Sequence, residues 1–273
     1  MATAAGRITP MTYCRGVAFP THILYADDVM IFCTGTKSNI RWLLNIFQRY
    51  SEVSRQIINN AKSRFYTSAM TATRVQMISV LLGFTVGTVP FIYLGCPIFQ
   101  GNPKVAHFQM ITDRIKAKLA TWKGSLLSVM GRVQLVKSII HGMLVYSFHV
   151  YMFPRRLLRM LDTWIKNCIW SGDVLTRKVC TVSWNCLSRP WTEGGLDLKP
   201  TRLINDSLIL KLAWNLLAID SQWAALLKQS FISNGKLVDH YFKSFVWAGI
   251  KIHIGAVISN SLWIVGTGEN ISI

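Results

Sequence analysis

The sequence predicts an α+β chain, and three observations carry the prediction. Short apolar runs punctuated by turn residues occupy the first hundred positions, and apolar stripes at three- and four-residue spacing follow them. Thirty Lys and Arg stand against twelve Asp and Glu, a formal charge of +18. The expected parts are a mixed segment over residues 1–103, a helical one over 104–172 and a less regular, mostly helical region over 173–273. With 51% apolar residues in 273, the chain can bury one large core or two small ones.

The stretch HILYADDVMIFCTG, His22 to Gly35, reads as a hairpin with Asp27 and Asp28 at its turn. Side chains alternate along a strand, so Tyr25 is expected on the face of Asp27, while the turn lets the two carboxylates converge. Ile40, Leu43, Leu44 and Phe47 then mark an amphipathic helix capped by Thr36 or Ser38. Ile57 and Ile58, the turn-like NNAKS and the following RFYTS predict another strand pair. A short helix over Thr71 to Leu82 ends at Gly83, and VPFIYLGCPIF reads as strand and tight turn.

Beyond it the period changes. Phe108, Ile111, Ile115, Leu119 and Trp122 mark a helix with Arg114, Lys116, Lys118 and Lys123 off the apolar stripe. Leu127, Met130, Val133 (or Val136), Ile140 and Leu144 mark a longer one that stops before Pro154. Leu158, Leu161, Ile165 and Ile169 mark a third, ending at Gly172. The Trp-rich VSWNCLSRPWTEGGLDLKP precedes a helix from about Pro200 to Ile219.

So strong a positive charge points to a polyanionic partner, nucleic acid first and anionic membrane second. From Lys37 to Lys137 there are fourteen basic residues and two acids, Glu52 and Asp113. Sustained across several elements, that bias favours a groove that follows phosphates. The longest uncharged apolar stretch, Ser138 to Phe153, is too short to span a bilayer and contains His141 and His149, so no membrane association is expected. The N-terminus has no apolar signal core, and the expected location is intracellular, nuclear or cytoplasmic, rather than secreted. Six scattered cysteines without a C-x-x-C pair are expected to be buried free thiols, and the N-x-S sequons at Asn205 and Asn270 to be unused.

Adjacent carboxylates repel, and a cation beside them removes the cost of keeping both ionised. Mg²⁺ (or Mn²⁺) takes a few hard oxygens and leaves its other positions to water and phosphates, the arrangement of two-metal nucleotidyl transfer. Out of context the pair reads as an exposed Asp-Asp turn; apolar strands on both sides and the basic tract behind it favour chemistry.

LYADDVMIF resembles the [FY]-A-D-D hairpin of a polymerase palm, and the chain is similar to the C-terminal half of a plant non-LTR retrotransposon (LINE-type) reverse transcriptase. The resemblance implies that Asp27 and Asp28 are catalytic and hold Mg²⁺, the second assisting the first. In INNAKS, Lys62 matches a lysine near the incoming nucleotide's phosphates that can protonate the leaving pyrophosphate. YLGCPI matches the primer-grip hairpin through Tyr93, Leu94 and Gly95, and WKGSLLSVMGRVQLVKSII matches the thumb. The 1–103 segment is then a partial palm, 104–172 the thumb, and 173–273 a connecting region with the start of a downstream module. Expected partners are an RNA template and a DNA primer, held by Arg114, Lys116, Lys118, Lys123, Arg132 and Lys137.

The departures are specific. Where the family has Ser-Gly-Leu this chain has Ser54-Arg55-Gln56, which costs about 1 kcal/mol if the position needs positive φ. Trp191 stands where a lysine is common. The family carries a further catalytic Asp well upstream, yet residues 1–26 contain no Asp or Glu. The expectation is a truncated reading frame, inactive without a missing N-terminal polymerase half. Its alternatives are a basic nucleic-acid-binding remnant without chemistry, using Trp122, Tyr66 and Tyr93 for stacking, and a relic with unpaired strand edges that does not fold stably.

Overall fold

The computed structural model describes residues 9, 20–67, 70–121, 126–179, 182–233, 236–238 and 244–262. Its first elements are β1 (His22–Tyr25), β2 (Asp28–Ile31), α1 (Lys37–Ser54), β3 (Arg64–Phe65), α2 (Ala72–Leu82), β4 (Thr85–Val86), β5 (Phe91–Tyr93) and β6 (Cys96–Ile98). Then follow α3 (Gln109–Thr121), α4 (Val129–Leu135), α5 (His141–Phe148), α6 (Arg155–Ser171), α7 (Trp184–Leu187) and α8 (Thr201–Ala218). The last are α9 (Gln222–Phe231), β7 (Ile232–Ser233), β8 (Lys236–Leu237) and α10 (Phe245–Ser259). Helices and small separate sheets thus share the chain, an α+β arrangement in which every sheet among the described residues has two strands. Two compact units result: Met1–Tyr93 with Ile98–Gln100 and Asp220–Ser230, and Leu94–Pro97 with Gly101–Ile219 and Phe231–Ile273.

In the first unit, Thr36 is the cap of α1, its Oγ1 accepting from the Asn39 N–H at 3.3 Å. The predicted stripe is the buried one: Ile40 and Leu43 meet Ile78 and Leu82 of α2 and Phe84, with Leu44, Phe47 and Ile58 packed around them. Each fully buried aliphatic side chain there contributes about 2 kcal/mol. α1 closes at Arg55 in the left-handed conformation (φ 59°, ψ 18°), and α2 closes at Gly83 (φ 67°).

The second strand pair does not form as the sequence predicts. The Asn59 side-chain oxygen accepts from the N–H groups of Ala61 (3.1 Å) and Lys62 (3.2 Å), folding NNAKS into a turn that leaves Ile57 90% exposed. β3 pairs instead with β4, in parallel, Arg64 opposite Thr85 and Phe65 opposite Val86. Parallel pairing needs a crossover, and α2 supplies it.

In the second unit, Phe108 in the turn leading into α3 is buried with Thr112, Ile115 and Leu119 of that helix, and α6 buries Leu157, Leu158, Leu161, Ile165 and Ile169 before ending at Gly172 (φ 77°). Between them α4 and α5 form one helix through a π-helical turn at Val136–Ile140. That turn settles the choice between Val133 and Val136: both are buried, together with Ile140 and Leu144. Four-residue steps drift off the face of a 3.6-residue helix, and the wider π turn takes up the drift. Ser138 to Phe153 is helix and loop buried along one face, with Ser138, Gly142 and Tyr146 exposed on the other; among the described residues no helix is long and apolar enough to cross a membrane.

Asn205 of α8, fully buried, ties the end of α5 in place. Its Nδ2 donates to the carbonyls of Tyr151 (2.8 Å) and Phe148 (3.2 Å), and its Oδ1 accepts from the Phe153 N–H (2.9 Å). The hydroxyl of Tyr151 donates to the Pro97 carbonyl at 2.7 Å, and Phe108 and Phe148 close on Phe153 at centroid distances of 4.1 and 4.7 Å. Thr201 at the start of α8 reaches α6, its N–H donating to Asp162 and its hydroxyl to the Leu158 carbonyl. Cys96 and Cys168 are buried and Cys33 half-buried, burial pushing all three thiols up. Cys186 departs from the expectation of burial: it lies exposed in the short α7. Cys14 and Cys180 lie outside the described residues.

Candidate functional site

β1 and β2 pair in register His22–Ile31, Ile23–Met30, Leu24–Val29 and Tyr25–Asp28, so the loop has two residues, Ala26 and Asp27. Ala26 takes positive φ (51°), the requirement of a tight two-residue turn and a strained one for a residue with a Cβ. Asp27 projects from the turn and Asp28 opens β2; both are exposed. Directly opposed residues share a face, so Tyr25 goes with Asp28 and not, as expected from strand alternation, with Asp27. The strand ends one residue too early for the alternation to reach Asp27.

The far end of the hairpin is fastened to α1. Asn39, buried, donates through Nδ2 to the Thr34 hydroxyl (2.6 Å) and carbonyl (3.0 Å), and its Oδ1 accepts from the Thr9 N–H (3.3 Å). The near end is bare. Leu24 is 64% and Tyr25 62% exposed, and both strand edges lack a partner among the described residues.

Lys62 is in the same unit, on the Asn59 turn, exposed, and no described hydrogen bond or ion pair joins it to Asp27 or Asp28. Two carboxylates therefore stand at the hairpin tip, and among the described residues no group of three His, Cys, Asp or Glu could hold a metal ion. Such a pair suits a Mg²⁺ that takes one or two carboxylates and completes its shell with phosphate and water.

Tyr93, Leu94 and Gly95 lie at a second two-residue turn, between β5 and β6, with positive φ at both Leu94 (48°) and Gly95 (79°). Two positive values make it the mirror-image turn favoured in hairpins, which Gly95 adopts freely and Leu94 under strain. The Tyr93 hydroxyl is buried without a hydrogen-bond partner among the described residues. Tyr66, a proposed stacking residue, already stacks on Phe91 at 3.9 Å.

The basic residues of the second unit divide in two. Arg114 and Lys118 are exposed on α3, and Lys116 lies 5.7 Å from the centre of the Trp164 ring. Arg132 points inward: Nε donates to the Leu127 carbonyl (3.1 Å), and Nη1 donates to the carbonyls of Ile169 (2.6 Å) and Cys168 (3.4 Å) at the end of α6. Its guanidinium caps a helix terminus, where a cation is stabilised by the dipole. Lys137 pairs with Asp197 (3.6 Å) and lies 5.6 Å from the centre of the Trp191 ring. Lys123 and Trp122 lie outside the described residues.

No family model matches the chain. One relative does. Over 182 residues, 64% of the chain, it is 28% identical to the Arabidopsis thaliana protein called "Putative ribonuclease H protein At1g65750". The chain spans 29% of that protein's length.

Sequence reasoning ended the basic tract at Lys137 and so passed over Arg155, Arg156 and Arg159, all exposed on α6. It also noted Trp191 only as an odd residue, where the structure sets its ring against the Lys137 ammonium.

Proposed function

We propose that this chain is part of a plant-type non-LTR retroelement reverse transcriptase, an RNA-directed DNA polymerase, and that it contributes the A-D-D hairpin, the primer-grip turn and the thumb. The observation that carries the reading is the two-residue turn that holds Asp27 and Asp28 exposed between apolar strands in an acid-poor region. The ordered motifs after it, the +18 charge and a relative named for ribonuclease H, an activity on nucleic acid, support the same substrate class.

On this reading Asp27 and Asp28 would hold Mg²⁺ or Mn²⁺, which when bound supplies charge neutralisation at the transferring phosphate. Lys62 offers a proton to the departing pyrophosphate, and the Tyr93–Gly95 turn bears on the primer. Two carboxylates do not make a two-metal site, so this polypeptide is expected to hold template and primer without extending it.

Electron paramagnetic resonance of Mn²⁺ tests the reading. Mn²⁺ should bind weakly to the chain, more tightly once an RNA template with a recessed DNA primer is added, and weakly again in Asp27→Asn. Binding indifferent to both the nucleic acid and Asp27 would overturn it. In primer extension, template-directed synthesis lost in Asp27→Asn would overturn the claim of inactivity. A second reading, nucleic-acid binding with no chemistry, is favoured by the lack of a third metal-holding side chain among the described residues. It predicts affinity that falls steeply with salt and ignores Asp27 and Asp28.

A further inference from the structure

Trp191 is 55% exposed, although tryptophan is among the most buried residues on average. It is not exposed on a loose loop. Residues 187–197 form a knot of backbone hydrogen bonds: Leu196 N–H donates to the Leu187 carbonyl (2.9 Å), Asp197 N–H to Arg189 (2.8 Å), Gly195 N–H to Pro190 (3.1 Å) and Gly194 N–H to Trp191 (3.1 Å). Gly195 sits so close to the Arg189 carbonyl that any Cβ there would collide with it. Asp197 fastens the knot from below, accepting from Lys199 at 2.8 Å and pairing with Lys137 at 3.6 Å.

Lys137 in turn lies 5.6 Å from the Trp191 ring centre, and among the described residues no other ring touches the indole. One ring surface is thus held by a cation while more than half the side chain meets solvent. Lys137 and Lys199 share the Asp197 carboxylate, and Arg189, exposed, belongs to the same hydrogen-bonded segment.

We propose that Trp191 is a stacking platform for one unpaired nucleic-acid base, with the exposed Arg189 and Lys199 of the same segment available for the flanking phosphates. A rigid, half-exposed aromatic ring backed by a cation and set among basic side chains is the recognition chemistry of a single strand: the π-face takes any base, and the cations take the backbone. Inside a duplex the bases cover one another's faces, and only the two end pairs could reach the ring. The site lies in the second unit and makes no use of the Asp27 hairpin, so it stands whether or not the polymerase reading does.

Fluorescence anisotropy with a labelled single-stranded DNA of about 12 nucleotides, long enough for one such site, tests it. The same measurement is made at one fixed salt concentration with an abasic strand of equal length, a duplex whose ends are closed by non-nucleotide linkers, and phosphatidylserine vesicles. Trp191→Leu should weaken single-strand binding about tenfold and Trp191→Phe far less, while abasic and duplex binding stay the same in all three proteins. Identical melting curves establish that the variants are folded. An effect of Trp191→Leu below about twofold, or an equal loss on the abasic strand, overturns the proposal. So does a loss confined to the vesicles, which assigns the ring to a lipid surface.

Discussion

Arg55→Gly should make the first unit more stable by about 1 kcal/mol. Arg55 closes α1 at φ 59°, ψ 18°, with its N–H donating to the Ser51 carbonyl at 2.9 Å. In that left-handed conformation a Cβ crowds the backbone carbonyl, at a cost of roughly 1–2 kcal/mol that glycine does not bear. Glycine gives back roughly 0.5–1 kcal/mol through the freedom it gains in the unfolded chain, which leaves about 1 kcal/mol. The neighbouring contacts do not depend on the arginine side chain: Gln56 N–H donates to the Ser54 hydroxyl (3.2 Å), and the Tyr50 hydroxyl donates to the Gln56 side chain.

The assay is equilibrium urea unfolding followed by far-ultraviolet circular dichroism on wild type, Arg55→Gly and Arg55→Ala. Alanine removes the charge and keeps the Cβ, so it should fall within about 0.5 kcal/mol of wild type. The glycine variant should melt about 4 °C higher if the unit unfolds as a domain of roughly a hundred residues. Coincident curves for glycine and alanine, or a less stable glycine variant, would refute the assignment of strain to this backbone position.

Arg132→Ala should lower stability by about 2 kcal/mol, because three carbonyls lose a charged donor; urea unfolding measures it, and nucleic-acid affinity should change less than in Arg114→Ala. Burial, with the nearby Lys137, pushes the His141 imidazole down to about 4, so the unfolded chain takes up a proton first. Stability should therefore be level above about pH 6.5 and fall by about 3 kcal/mol toward pH 4, and His141→Gln should flatten that limb in a pH series of unfolding curves. Asn205→Ala strands the buried Phe153 N–H and two carbonyls, and a loss of about 3 kcal/mol is expected in thermal or urea unfolding. Because Asn205 is fully buried, its sequon should also stay unmodified when the folded chain is offered to an oligosaccharyltransferase.

Much of the architecture was legible because it is set within one turn of chain. The Thr36 cap, the Ile40–Leu43 stripe, the Gly83 and Gly172 ends and the α6 stripe all rest on interactions between residues three or four apart. Arg55 belongs with them: the cost at this position was conditional on a positive φ, and the helix does end in the left-handed conformation there. The strand pair at Ile57 failed because the choice of partner is a long-range matter. Asn59 closed its own turn, and β3 found β4 on the far side of α2.

The candidate site divides along the same line. That two acids and a Tyr occupy one hairpin is a property of the sequence, since a two-residue loop between apolar runs leaves little choice. Which of the acids shares a face with Tyr25 depended on where pairing stopped, and pairing is tertiary. Among the basic residues, charge was readable and direction was not. Arg132 turned toward the end of α6, thirty-six residues away in sequence, and Lys137 toward Trp191 and Asp197, because unsatisfied carbonyls, a ring and a carboxylate stood within reach only after the helices had packed.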